Sequence, residues 1–280
     1  MTTLSTCAVL VSFTSSQWRA RKTDRQVNLE ICRNHGTEES ATTVRKALLP
    51  MDAPSYEAIG TAYSAAYVTH RANTLPWLDG GLRILPSANF DEYSRLMRVH
   101  RDTFDDAVRV FLVEYPQLRE TARLHLNGMY KATDYPDLTK MVSLFRFETA
   151  FFPMPDASDF RVNLSAETLD AVRSNMEQAS QSALRDAMSD VNTRLLDALS
   201  AMKNRLSEPK GIFRDTLFTN LAELVEIMPR LNLTNDPDLT ARCEEIRQQV
   251  LACTPDTARK NPVERARVAA EVARIASLME

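Results

Sequence analysis

Glycine, histidine and cysteine are scarce in this 280-residue chain, which has six, four and four of them. No glycine-rich phosphate loop of the G-x-x-x-x-G-K-[ST] or G-x-G-x-x-G type occurs, and no G-x-S-x-G nucleophile turn. The four histidines lack the i,i+4 spacing with which two imidazoles on one helix bind zinc. The sequence therefore predicts no metal, no cofactor and no catalytic centre, and we expect a protein that is not an enzyme.

Long apolar runs are also missing. The run CAVLVSF covers seven residues, too few for a signal sequence or a membrane span. Cys7, Cys32, Cys243 and Cys253 form no C-x-x-C pair and are expected to be reduced thiols. We therefore expect a cytoplasmic protein with no membrane partner. A net charge of −3 provides no global field for nucleic acid, so such binding would need a local basic patch.

What the chain has in abundance is residues that favour helices, and the predicted fold is mainly α with a small β element. The stretch 73–86 is predicted to be a hairpin-like connection whose paired glycines adopt positive φ. Strands are predicted over 7–13, 41–49, 82–86, 143–155 and 159–164, and helices over 15–36, 54–72, 89–115, 116–128 and 165–206, with about three more after 213.

The 165–206 segment is the most informative, because it contains neither glycine nor proline and Ser165 can cap it. Its apolar residues follow a coiled-coil-like seam with a stutter. The seam predicts a long arm or a hairpin, with 213–229 as the intrachain partner or a second copy of the chain as the alternative. The candidate partner or oligomer interface is Leu169, Val172, Met176, Val191, Leu195 and Met202. The predicted domains are an α+β domain (1–164), the helical arm (165–230) and C-terminal helices (231–280).

A local basic patch does occur near the N-terminus, in SQWRARKTDR. Residues 1–50 hold seven basic and four acidic side chains, a net charge of +3. Arginines bind phosphates and a tryptophan stacks on unpaired bases, which makes single-stranded DNA a candidate partner. The alternative is a solvated helix with its tryptophan in the core. The candidate nucleic-acid-binding residues are Trp18, Arg19, Arg21, Lys22 and Arg25.

Four stretches, VLVSFTSSQWRARKTD, NTLPWLDGGLRILPSANFDEY, FPMPDASDFRVNL and EPKGIFRDTLFTNLAELVEIMPRLNLTNDPDL, resemble a family of uncharacterised bacteriophage and integrative-element proteins. The resemblance implies a host-cell cytoplasmic protein encoded near recombination genes or MoxR-type ATPases, and it carries over no catalytic residues. Two functions are then expected. The first is a non-enzymatic nucleic-acid-binding accessory protein in phage DNA replication or recombination. The alternative is an oligomeric scaffold or adaptor whose long helix binds a second copy, another phage protein or such an ATPase.

Overall fold

A computed structural model of the protein describes residues 4–50, 52–78, 80–156, 165–208 and 212–279. The chain is 69% helical and 11% strand, which confirms the predicted mainly α fold with a small β element. No helix in the described ranges has the length and apolar character needed to cross a membrane.

The elements follow one another in a simple order. The strands are β1 (Ala8–Ser16), β2 (Arg21–Thr23), β3 (Arg45–Ala47), β4 (Leu75–Pro76), β5 (Leu82–Pro86) and β6 (Arg146–Pro153). The helices are α1 (Leu4–Cys7), α2 (Arg25–His35), α3 (Pro54–Asn73), α4 (Phe90–Leu126), α5 (Leu138–Ser143), α6 (Ala166–Ser207), α7 (Thr216–Leu231), α8 (Pro237–Gln249), α9 (Pro255–Lys260) and α10 (Pro262–Ser277).

Local signals determine where several helices begin and end. The Ser165 hydroxyl accepts the backbone N–H of Thr168 and caps α6, as predicted. Asp236 caps α8 in the same way. Gly36 ends α2 in the left-handed conformation, with φ of 63°, a value that a residue with a Cβ atom adopts only at a cost.

Two sheets hold the strands. The larger has the order β4-β5-β1-β6, and β5 lies antiparallel to both of its neighbours. The β4–β5 pair confirms the hairpin-like connection predicted over 73–86. The positive φ in its described part belongs to Leu78, at 36°, and not to Gly80 or Gly81. The smaller sheet pairs β2 with β3, also antiparallel.

The chain divides into two compact units, each built from separate stretches. Unit 1 comprises residues 1–12, 69–95 and 150–280, and unit 2 comprises 13–68 and 96–149. The units differ from the predicted domains 1–164, 165–230 and 231–280, because α6 and the C-terminal helices belong to one unit. Contacts between residues far apart in sequence produce this division, and periodicity along the chain does not reveal them.

Within unit 1, the second half of α6 packs against α7 and α10. Val191, Leu195 and Met202 have no exposed surface, because these two helices bury them inside the chain. They are therefore core residues, which corrects their assignment to a partner interface. The predicted intrachain partner 213–229 is confirmed as α7, and α10 is an additional partner. Leu169, Val172 and Met176, in the first half, are partly buried on a stretch whose other side chains are mostly exposed.

Three predicted elements differ from the structure or lie outside it. Residues 15–23 are not helical, since β1 runs to Ser16 and the backbone N–H of Leu48 donates to Ala20, which extends the small sheet. Pro116 does not start a new helix but lies within α4, because one buried stripe continues from Phe104 through Ala122. The strand predicted over 159–164 lies outside the described residues.

Candidate nucleic-acid interface

The β2–β3 pair of unit 2 presents an exposed outer face. Arg21 lies opposite Ala47, and Thr23 lies opposite Arg45. Directly opposed residues of an antiparallel pair share a face, and so do residues two apart on one strand. These four residues therefore lie on one side, and all four are exposed. The two arginines occupy diagonal positions on that side.

Two more arginines lie next to β2 along the chain. Arg19 precedes β2 and Arg25 follows it as the first residue of α2, and both are exposed. We call Arg19, Arg21, Arg25 and Arg45 the arginine face. Among the ion pairs of the described residues, none involves a member of it. By contrast, Arg109 and Arg123 on α4 each bind a carboxylate three residues earlier.

The opposite side of the β2–β3 pair carries a set of ion pairs with no net charge, which we call the ion-pair lock. Lys46 is almost fully buried, and its Nζ lies 2.8 Å from Asp134 Oδ2 and 3.3 Å from Asp24 Oδ2. The same ammonium donates to the carbonyl of Met129 at 2.7 Å. Half-exposed Lys22 binds the other oxygen of Asp134 at 2.8 Å. Two lysines and two aspartates thus cancel in charge, which leaves the arginine face as the uncompensated positive charge of this sheet.

The pKa values of these groups reflect this pairing. Burial alone raises the pKa of the Asp134 carboxyl, but Lys22 and Lys46 outweigh it and hold that pKa below its usual value. The N–H of Val27, followed by Lys46, lowers the pKa of Asp24. Burial lowers the pKa of Lys46, yet its two carboxylate partners raise it overall. All three groups are therefore charged at neutral pH, and the lock is intact there.

Trp18 is partly buried in an aromatic cluster, contrary to the role of stacking on bases predicted for it. Its ring lies 5.8 Å from that of Tyr115 and 6.3 Å from that of Tyr56, both edge-on, and 6.4 Å from that of Phe111. The Tyr56 hydroxyl donates to the Trp18 carbonyl at 2.6 Å. These contacts satisfy the geometry that aromatic rings prefer in a core. Trp18 is thus a packing residue that anchors the chain just before Arg19.

The backbone at Ala20 redirects the chain between Trp18 and β2. Ala20 is buried and has φ of 48°, a left-handed conformation that costs an L-residue about 1 kcal/mol or more. Arg25 stands in the first turn of α2, where the helix dipole disfavours a cation by about 0.3–1 kcal/mol. Neither feature stabilises the fold. Residues whose backbone conformation or charge is locally unfavourable are concentrated at functional sites.

Two chemically active groups outside this face, His70 and Cys243, are buried and engaged in packing. Buried His70 in unit 1 holds its Nδ1 2.8 Å from the Tyr93 hydroxyl, and burial lowers the pKa of this histidine to about 4. Burial also raises the pKa of the Cys243 thiol. In the part of the chain that the structure describes, no three His, Cys, Asp or Glu side chains are grouped so that they could hold a metal ion.

No protein-family model, curated protein or solved structure matches the chain. The resemblance to bacteriophage and integrative-element proteins therefore stays a prediction, and the site stands on its geometry.

Of the predicted binding residues, Arg19, Arg21 and Arg25 lie on or beside β2 and are exposed. Lys22 lies on the other side of β2 in an ion pair, and Trp18 belongs to the aromatic cluster. Sequence reasoning missed Arg45, which is 20 residues or more away along the chain. The sequence predicts a strand over 41–49, which contains Arg45, but only the register of the β2–β3 pair places Arg45 diagonally across from Arg21.

Proposed function

We propose that the protein binds nucleic acid through the phosphate groups, at the arginine face, as a non-enzymatic accessory protein in the DNA replication or recombination of a phage or integrative element. The observation that carries the proposal is the cluster of four exposed arginines without ion pairs, in a chain whose net charge is negative. Guanidinium groups bind phosphate oxygens with two parallel hydrogen bonds. Unpaired arginines are available for this, whereas those already bound to carboxylates must first give up a partner.

The locked inner side supports the same function. A binding residue is most effective when its backbone is fixed before the ligand arrives, since less conformational entropy is then lost. Lys46, Asp24 and Asp134 hold β2 and β3 from behind, and the Trp18 cluster holds the chain at Arg19. The arginine face is thus a preorganised positive surface.

The test is a fluorescence-anisotropy titration of a labelled 20-base-pair DNA with the full chain and with an Arg21→Ala/Arg45→Ala variant. Loss of two phosphate contacts removes about 1.8 units from the slope of log K against log salt, which corresponds to about 60-fold weaker binding at 0.1 M salt. Both side chains are exposed and unpaired, so the variant should keep the helical circular dichroism of the parent.

The matched control is Arg109→Ala/Arg123→Ala, which changes the net charge of the same unit equally. These arginines are exposed but already paired on α4. We expect their affinity to stay within about twofold of the parent, because long-range effects of exposed charges are screened. Equal losses in both variants would mean that the net charge matters and the arginine face does not.

A second candidate function rests on the first half of α6. Leu169, Val172 and Met176 continue the helical seam beyond the half that α7 and α10 bury, on a stretch that is otherwise mostly exposed. A partner helix, from a second copy or another protein such as an ATPase, could cover this seam. We expect Leu169→Glu/Met176→Glu to lower the mass in solution measured by light scattering, if a second copy binds there. A monomeric parent would refute self-association.

A further inference from the structure

We infer that the ligand of the arginine face is a double-stranded nucleic acid, gripped by its phosphodiester backbone, and not a single strand held by stacked bases. This inference rests on the proposed function and specifies its substrate class. Three arguments support it. They concern the aromatic side chains of unit 2, the connection between β2 and β3, and the density of phosphates on the ligand.

The aromatic rings next to Arg19 pack against one another. Phe111 lies 5.6 Å from Tyr56 and 5.7 Å from Tyr115, and it has no exposed surface. The hydroxyls of both tyrosines are donated to backbone carbonyls, those of Trp18 and Pro136. Proteins that hold single strands combine a positive groove with aromatic platforms, each stacked base contributing about 1–3 kcal/mol. Here Phe111 and Tyr115 are buried, and Trp18 and Tyr56 are partly buried with their rings packed against them.

The β2–β3 pair is short compared with a ribbon that reads bases. Such a two-stranded ribbon lies in the major groove and contacts base edges with its side chains. β2 and β3 are three residues each, about 10 Å long, and they are joined through residues 24–44, which contain α2. Thr23 and Ala47, the other residues on the outer face, are small. The face is therefore suited to lie on a backbone, and its binding should depend little on sequence.

A fixed set of arginines binds most tightly to the nucleic acid with the highest density of phosphates. A duplex carries one charge per about 1.7 Å of its axis and a single strand one per about 3.4 Å. With four contacts, counterion release gives slopes of about −3.6 for a duplex and −2.8 for a single strand. Counterion release alone then favours the duplex about sixfold at 0.1 M salt and about tenfold at 0.05 M. A single strand recovers this difference only through stacking, and the described rings beside Arg19 are engaged in packing against one another.

The experiment titrates the full chain with a labelled 20-base-pair DNA, with its separate strands and with an RNA duplex of the same sequence. We expect the DNA duplex to bind about sixfold more tightly than either strand at 0.1 M salt, and a scrambled duplex to bind within about twofold. Equal affinity for the two duplexes would support recognition of the shared backbone. A preference for one duplex would also support the inference and would identify DNA or RNA as the source.

The variant Trp18→Leu separates packing from stacking. Leucine keeps an apolar side chain in the cluster but has no aromatic face for a base, so affinity for the duplex should stay within about twofold. Tighter binding of the single strand, together with its loss in Trp18→Leu, would overturn the inference while leaving nucleic-acid binding intact. Absence of binding to every nucleic acid at 0.05 M salt would instead overturn the proposed function on which it rests.

Discussion

Replacement of Lys46 by methionine should destabilise unit 2 by about 3 kcal/mol at neutral pH. Lys46 is 97% buried as a side chain and contacts three oxygens, those of Asp24, Asp134 and the Met129 carbonyl. Removal of one partner from a buried ion pair costs about 3–5 kcal/mol, because the other charge stays buried. The lower end applies, since Asp134 keeps Lys22 and Asp24 keeps the N–H of Val27.

The destabilisation caused by Lys46→Met should be smaller at low pH, because it arises from buried carboxylates that are charged. In the parent, ion pairing holds the pKa of Asp134 below its usual value of 3.8, so this stabilisation is present above 3.8 and is lost as pH falls through the lower native pKa. Without Lys46, burial shifts the pKa of that carboxyl upwards and the neutral form is accommodated. The parent and Lys46→Met should therefore approach one another in stability as pH falls from 7 towards 3.

The assay is urea unfolding followed by circular dichroism at pH 7 and near pH 3.5, with hydrogen exchange of the α2 amides as a local probe of unit 2. Lys140→Met is the matched control, because Lys140 is an exposed lysine of the same unit. Its effect should stay within about 0.5 kcal/mol. A cost for Lys46→Met below about 1 kcal/mol, or one that is independent of pH, would refute the ion-pair lock.

Two further predictions concern unit 1. Burial keeps His70 neutral, with a native pKa of about 4 against 6.5 when exposed, so stability present above pH 6.5 is lost as pH falls. Between pH 7 and 5 this amounts to about 2 kcal/mol in denaturant titrations, and an unchanged pH profile in His70→Gln would contradict it. Leu195→Ala should cost about 2–5 kcal/mol by cavity formation and Leu169→Ala clearly less; equal costs would mean that both halves of α6 are core.

Much of the helical framework could be predicted from the sequence, because the signals that end a helix are local. Ser165, Asp236 and Gly36 act on residues within one turn of themselves. The same holds for the 73–86 connection, where Pro76 ends β4 and the paired glycines directly precede β5. Pro116 shows the limit of such signals. A local rule predicts a break there, and the continuous buried stripe of α4 overrides it.

The candidate site was only partly predictable, because its decisive contacts are distant along the chain. The basic run identified Arg19, Arg21 and Arg25, but nothing near them indicates that Arg45 joins them or that Lys22 turns to Asp134. The role of Trp18 depends on α3 and α4, which supply the rings around it. Likewise, the apolar seam of α6 could not reveal that α10 covers its second half.

The central claim is that four unpaired arginines bind phosphates, and the salt dependence of duplex binding tests it most directly. Affinity should fall with a slope of about −3.6 on a log–log plot, or about 150-fold between 0.05 and 0.2 M salt, since each contact contributes about −0.9. For Arg21→Ala/Arg45→Ala we expect a slope of about −1.8, or about 12-fold. The same slope in parent and variant, or no binding at 0.05 M salt, would contradict the assignment of the arginine face.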